Sequence, residues 1–419
     1  MAAVTNVTQL EGNFKRIYAD NIKQLIPENA QLVKDITFSQ RDRLGDTFEQ
    51  PLILAQEGGF TYAGAGAGAF AINTPVAMTM KNARVPSTQM LLASRMDYET
   101  ASKASSGGER AFRKSTELLV KSMMESFTHR LECSILYGGT GLGKISSTTN
   151  ASSTSTVALI SDATWAMGIW AGAEGHNVEI FESGGQVGSS TFTITSVDIT
   201  NKKITLTGSA ADITILDADA NGTGVGLDIY WEDSQAADMN GIDKILTNTG
   251  SLFGVDAAVY NLWKANTYDI SGAMTVAKLL KSTTDAIGKG GLSQMVHVYI
   301  APQIYAVLNA ELEADRRYDS SYNSSKGTTG VESIVLYAQN GLMKVIPHAM
   351  VKAGEGFIMP MDCCKRIGST DVTFNTPGMG DKFFRQLDGF AGFELRAYCD
   401  QAFFIDKPAK CTKLTGITY

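Results

Sequence analysis

The chain has 419 residues, of which 44% are hydrophobic and 19% charged; this is the composition of a globular protein with apolar mass for a real core, spread over roughly two or three domains. Its formal net charge of −7 argues against a protein that clamps nucleic acid along its surface, which needs clustered Lys and Arg to displace counterions from phosphates. No window approaches the ~18 consecutive apolar residues of a membrane span. The opening MAAVTNVTQLEGNF lacks the basic start and apolar stretch of a secretory signal. Cys133, Cys363, Cys364, Cys399 and Cys411 are odd in number and irregularly spaced. With no C-x-x-C pair to suggest zinc, reduced thiols made in a cytoplasm are expected.

Residues 9–26 place Leu10, Phe14, Ile17, Asn21 and Leu25, with neighbouring Ile22 and Ile26, near one helical face, and Pro27 ends the pattern. An extended stretch to Leu44 follows. An amphipathic element in that setting buries little against its own local sequence, so it is expected to pack on something distant or on another chain. Residues 46–88 come next, with β-prone runs (FEQPLILA and PVAMTMKNARV) on either side of a Gly/Ala alternation. Glycine in such number supplies no side-chain packing. Two readings stay open: a disordered loop, or a long two-stranded arm with a soft tip. An isolated hairpin is marginal in water, so an arm would need support from a neighbouring subunit.

The strongest helical signal spans 109–136. Ser106 and Glu109 stand at capping-box spacing. Ala111, Leu119, Met123, Phe127, Leu131 and Ile135 form a stripe at multiples of four, with Phe112, Val120 and Met124 beside it. At 1.5 Å per residue the helix is roughly 40 Å long. YGGTGLGKIS then matches part of a phosphate-binding loop through Gly138, Gly143 and Lys144. Ile145 fills the magnesium-hydroxyl position, however, and the stretch follows a helix and runs into Ser/Thr-rich sequence with no helix in it. A phosphate cradle needs the reverse order, strand then helix. Gly138 and Gly139 fit better as the stop of the long helix, which leaves a nucleotide-hydrolysing enzyme weakly supported.

Between Asn177 and Asp233 a compact all-β unit is expected, inserted into a chain that is otherwise mixed. STFTITSVDITNKKITLTG is a hairpin around Asn-Lys-Lys, and DITILDADANGTGVGLDIYWED suggests two more strands around a Gly/Asp loop. Helices are expected at 236–266, with a break around TNTGS, and at 273–288. MVHVYIAPQIYAVLNAEL then gives a strand and a helix opened by Pro302. After a loop at 315–330, short strands run to the end (LMKVIPHAM, GFIMPMD, DVTFNTP, FELRAYCDQAFFIDKPAKCTKL).

Catalysis finds no candidate. His129, His176, His297 and His348 are scattered without a metal-binding pattern, no G-x-S-x-G elbow is present, and Cys133 within the long helix is expected to be buried rather than reactive. One loop matches a chemical template. Asp217, Asp219, Asn221 and Gly222 reproduce the D-x-D-x-N-G start of a calcium loop, with Asp228 at the twelfth position. The closing residue is Asp rather than Glu, strands are expected to flank it, and Gly224 replaces the apolar anchor. A solvated β-turn loop is therefore the preferred reading, with calcium as the candidate alternative.

This order of elements resembles the major capsid proteins of tailed bacteriophages, an α+β fold. VYIAPQIYAVLNAE is similar to that family's strand-and-helix element, and GFELRAYCDQAFFIDKPAKCTKLTGI to its closing strand and tail. The resemblance implies an N-arm at 1–45, an extended hairpin E-loop at 46–88 and a P-domain with its spine helix at 89–160. It implies an A-domain at 161–382 containing the β insertion 177–233, and closing P-domain strands at 383–419. It implies a non-enzymatic shell protein without cofactor that assembles as hexamers and pentamers into an icosahedral capsid. Scaffolding, portal and decoration or cement proteins would be its partners, around double-stranded DNA bound without sequence specificity and with no membrane. Its place would be the virion capsid, assembled in the host bacterial cytoplasm. An encapsulin-type nanocompartment is the alternative within the same fold; the insertion and the long arm favour the virus.

Overall fold

The computed structural model describes residues 30–39, 47–99, 109–222, 226–292, 295–316, 334–338, 341–375, 384–386 and 391–419. The amphipathic run at 9–26, the Ser106 cap and residues 317–330 of the expected loop lie outside them. Where an extended stretch was expected, a short helix, α1 (Gln31–Asp35), buries Leu32 and Val33. It leads to β1 (Phe38–Ser39). β2 (Thr47–Ala55) and β3 (Thr79–Pro86) then pair antiparallel, and a Gly58–Val76 bridge extends the pairing. Of the two readings of 46–88, the arm is the one found. Its root is seated on the body: Leu54, Ala83 and Val85 are buried, Phe48 meets the ring of Phe404 edge-on, and Arg84 N donates to Phe253 O.

β4 (Thr88–Asp97) precedes the long helix α2 (Glu109–Tyr137). Val120, Met123, Met124 and Phe127 of α2 pack on Phe374, Leu395, Ala397 and Cys399, while Leu131 and Ile135 enter the main core. The expected stop is found at Gly138 and Gly139. Gly139 takes φ +77°, and a Cβ on Gly138 would lie 2.1 Å from Met239 O, so only glycine lets that backbone approach.

The insertion differs from expectation in two ways. β5 (Gly143–Ser152), β6 (Ser155–Ile160), β7 (Asn177–Glu182), β8 (Gly185–Gln186), β9 (Phe192–Asp198), β10 (Lys203–Thr207) and β11 (Leu227–Trp231) form one sheet. Its order is β11-β5-β6-β10-β9-β7-β8, and a β11–β7 pairing closes it into a small barrel. The unit thus begins near Gly143, not at 177, and takes the Ser/Thr-rich segment as two of its strands. It is also not all β. DITILDADAN belongs to a helix, α3 (Ala210–Asn221), whose Ser209 side chain accepts from Asp212 N at the N-cap. Ile213 and Leu216, three apart, are fully buried. The cap and the barrel contact override the β-branched run.

The helical pattern of 236–266 does stop at TNTGS, but little regular helix lies on either side of it. The stretch holds short helical turns, at 234–237 and 242–246, and a tiny hairpin of β12 (Ser251–Leu252) and β13 (Val255–Asp256). β14 (Asn266–Ala273), α4 (Val276–Ser282), α5 (Thr284–Gly290) and β15 (Val296–Ile300) follow, then α6 (Pro302–Arg316), opened by proline as expected. With β16 (Ile334–Ala338), β17 (Gly341–Pro347), β18 (Gly356–Pro360) and the last strand, β22 (Thr412–Thr418), they build a six-stranded sheet ordered β14-β22-β18-β15-β17-β16. Before β22 come β19 (Cys364–Thr373), β20 (Phe384–Gln386) and β21 (Gly392–Ile405). β21 pairs with β19 and β20 on one side and with β4 along the other.

β19 lies in the sheet beneath the long helix, whereas β22 belongs to the six-stranded one. The chain crosses between the two sheets twice near its end. No described helix is long and apolar enough to cross a membrane.

Candidate assembly surface

The residues singled out for chemistry are spread apart. Gly143 and Lys144 open β5, and Lys144 Nζ lies 3.7 Å from Oδ1 of Asp228, its ladder partner on β11, so 137–146 is a helix end, a turn and a strand rather than a phosphate cradle. Asp217, Asp219 and Asn221 stand on α3 rather than in a loop. Asp217 accepts from Asn150 Nδ2 at 2.9 Å and Thr156 Oγ1 at 2.7 Å. Asn221 exchanges hydrogen bonds with Thr148, accepting from its N–H and donating to its hydroxyl. Asp228 sits on β11 beside Lys144. The helix sends these oxygens to barrel strands instead of to one point, and among the described residues no cluster of His, Cys, Asp or Glu is disposed to hold a metal. All five cysteines are buried and free; burial pushes Cys133 and Cys363 up to about 12 and Cys399 to about 11.

Two surfaces remain. The first is the arm beyond its seated root. Ile53, Phe60, Phe70, Val76 and Met80 are more than half exposed, and Tyr62 and Ile72 reach 90% and 84%. Asn73 ties the two sides together, its N–H donating to Thr61 Oγ1 and its amide to Phe60 O. A run of large apolar side chains held open to water on a projecting hairpin marks an interaction surface rather than scattered exposure.

The second is a socket for α1, which the sequence did not disclose. Glu132, on the buried face of the long helix, accepts from Leu32 N at 2.8 Å and Val33 N at 3.0 Å, thereby capping α1. His348 Nε2 lies 2.7 Å from the same carboxylate. Its Nδ1 accepts from Met350 N, so the proton sits on Nε2 and the imidazole donates to Glu132 as a neutral ring. At the far end of α1, Arg366 donates to the carbonyls of Val33 and Ile36. Tyr299 donates to Asp35 Oδ2 at 2.7 Å; His297 beside it, and then that hydroxyl, hold the Asp35 carboxyl below its usual range against the opposing effect of burial. The one sequence signal was Glu132 itself, the lone charge in the run Leu131–Gly138. A buried carboxylate requires donors, yet its partners lie 100 residues before it and 216 after.

No family model matches the sequence, and no curated protein matches it. Solved structures do. A chain of the cyanophage A-1(L) capsid asymmetric unit has TM-score 0.52 and 12% identity, over 92% of this chain and 91% of that one. Similar as well are a chain of the native GTA particle capsid, with TM-score 0.46 and 7% identity over 94% and 91%, and the virus-like particle from Pyrococcus furiosus, with TM-score 0.37 and 9% identity over 95% and 99%. The first of these shows that the chain shares the fold of a phage capsid subunit.

Proposed function

We propose that this chain is the major capsid protein of a tailed bacteriophage, assembling as hexamers and pentamers into an icosahedral shell around double-stranded DNA. The arm carries this reading. Its root is packed on its own body while Phe60, Tyr62, Phe70 and Ile72 beyond it find no cover. Ordering each residue there costs about 1–2 kcal/mol, which a lone glycine-rich hairpin does not offset. An obligate interface above ~2,000 Å² does, and repeating it around a ring gives a closed assembly. The fold shared with the cyanophage capsid chain supports the same conclusion. On this reading residues 46–88 are the E-loop laid across an adjacent subunit, and 1–45 are the N-arm, secured at α1. The long helix, β4 and β19–β21 would form the P-domain, in keeping with their pairing in one sheet. The six-stranded sheet is the A-domain, with the barrel as its insertion.

The shell works by complementarity and not by catalysis. A net charge of −7 suits a wall that must not grip the DNA it encloses. Scaffolding, portal and decoration proteins would meet the shell during assembly in the host cytoplasm. The test is electron microscopy of the protein expressed with its neighbouring genes, beside a variant trimmed from Ala63 to Ala69. The intact chain is expected to form particles. The trimmed chain should keep its circular dichroism and cooperative melting but lose particles, the more so on dilution. Trimmed protein that builds normal particles would make the tip a spacer. An intact chain that stays monomeric at high concentration with those partners present would sink the assignment, and particles filled with protein cargo would indicate a nanocompartment.

A further inference from the structure

If arms reach neighbouring copies, each copy needs a place to receive one, and the structure contains a cleft suited to that. It has a volume of about 820 Å³ and lies between β4, the long helix and the barrel. Residues Thr88–Leu92 form one wall, Arg130 and Ser134 of the long helix the floor, and Trp231 the far side. β4 pairs only with β21 among the described residues, so its other backbone edge is open to an added extended segment.

Arg130 is the unpaired guanidinium in this cleft. Its guanidinium stacks 3.7 Å from the centre of the Trp231 ring, and His176 approaches the same ring edge-on. Of the acids lining the cleft, Glu125 lies 4.0 Å from Lys121 and Glu232 accepts from Asn177 Nδ2 at 3.0 Å, while Asp233 is exposed to solvent. The acid nearest in effect, Asp238, is turned to the Met239 N–H at 2.8 Å, and burial pushes its carboxyl up, away from the charged form. Arg130 itself makes no ion pair among the described residues. A half-buried guanidinium with a stacked face and free N–H donors is built to take a carboxylate.

The arm supplies one. Glu57 is the only charged residue between Glu49 and Lys81. Glu49 is paired with Arg84 at 2.9 Å, but Glu57 is exposed and has no partner. At ~3.3 Å per residue it stands roughly 10 Å beyond Leu54, the last buried residue of β2, within the apolar, uncovered part. We propose that the cleft is the landing site for the arm of a second copy, with Glu57 of one copy meeting Arg130 of the next and the arm backbone running along the open edge of β4.

This rests on the shell reading, and the experiment separates the two. Glu57→Arg and Arg130→Glu are compared with wild type and with the double reversal, by particle yield at fixed concentration. Each single reversal should lower the yield at least about tenfold, and the double should recover it. Glu57 touches nothing in its own chain, so its reversal leaves the fold intact even where Arg130→Glu disturbs the Trp231 contact. Proximity is measured separately with Gln56→Cys and Ser126→Cys, which keep both charges. Under oxidation these should give intermolecular disulfides, seen as a ladder on non-reducing gels of particles and absent from dilute protein. Normal yield from Glu57→Arg, or assembled particles without the 56–126 crosslink, overturns the landing site while leaving the shell standing. A wild-type chain that never assembles overturns both.

Discussion

Replacing Glu132 by alanine tests how the N-terminal segment is fastened. The change orphans three buried donors: the N–H groups of Leu32 and Val33 and Nε2–H of His348. Each unsatisfied buried donor costs about 1–3 kcal/mol. Water entering the void relieves part of that, so about 3–5 kcal/mol is expected, the lower part of the range for three such losses. The loss falls on docking of α1 rather than on the whole fold. Leu32, Val33 and Ile36 still bury their side chains, at about 1.5–3 kcal/mol each when full, so the segment stays mostly docked but opens far more often. At ~1.4 kcal/mol per factor of ten, opening rises by two to three powers of ten. Lys34 is exposed on α1 and gives the assay: tryptic cleavage after Lys34 under native conditions, followed by mass spectrometry, should accelerate by about that factor. Glu132→Gln, which keeps one acceptor, should fall between. Unchanged cleavage at Lys34 in Glu132→Ala would show that the carboxylate does not hold the segment.

Phe127→Ala, at the fully buried contact with the sheet below, should destabilise by about 3–5 kcal/mol. Lys121→Ala, which removes only an exposed i,i+4 pair with Glu125, should cost at most about 0.5 kcal/mol; equal shifts in urea midpoint would show that the helix is not packed as described. Excising 177–233 removes the partners of β5 and β6 and should leave insoluble protein. Replacing 143–230 with a short linker should leave a folded but less stable remainder, because Gly143 and Ile229 are ladder partners while Ala163, Trp165 and Gly168, bonded to Gly354, Ala353 and Ala349 of the body, are lost with it; the opposite pattern of solubility would refute the barrel boundary. Thiol labelling at pH 8 should find none of the five cysteines reactive until the protein is unfolded, and rapid native labelling of any one would contradict the burial. Asp35 has its folded value held below the ordinary 3.8, so its contribution is full above that value and is lost as pH falls through the lower, folded one. The stability gap between wild type and Asp35→Asn should thus be open at pH 5 and close in stronger acid; a gap that persists undiminished at pH 2 would refute the assignment.

Elements set by local pattern were legible. The arm strands, the long helix, the hairpin of β9 and β10, and the strand ending before Pro302 each declare themselves within a dozen residues through periodicity, a turn or a proline. Elements set by distant pairing were not. Residues 143–160 look like a polar linker because half of each strand faces water. Only the alternation Thr156, Ala158, Ile160, all buried, hints at a barrel wall, and Thr156 belongs there because Asp217 of α3 accepts its hydroxyl proton. α3 in turn is a helix because Ser209 caps it and the barrel covers Ile213 and Leu216. The loop that the calcium template supposes is a helix for the same reason. The spacing of Asp217, Asp219 and Asn221 suits an ion if the backbone coils around it, whereas on the helix Asp217 accepts from Asn150 and Thr156, and Asn221 from Thr148.

The two candidate surfaces differ in one respect that bears on assembly. The α1 socket is closed and polar: Glu132, His348, Arg366, Tyr299 and Asp35 all find their partners within a single chain, so docking α1 needs no second copy. The arm is fixed only at its root, through Phe48 on Phe404 and Arg84 N on Phe253 O, and beyond it offers apolar side chains and the unpaired Glu57. Polar groups buried with exact partners favour one geometry and resist sliding, whereas an apolar stripe gains from any cover that excludes water. A subunit built this way fixes where its arm begins before it meets a neighbour and leaves the far end to be defined by that neighbour. It follows that damage to the socket and damage to the arm tip should separate experimentally. Glu132→Ala should alter proteolysis of the isolated chain at once, while Glu57→Arg should be silent until copies are brought together. If both variants behaved identically in dilute, unassembled protein, the arm would have a resting place on its own body, and its exposed stripe would need no second copy to explain it.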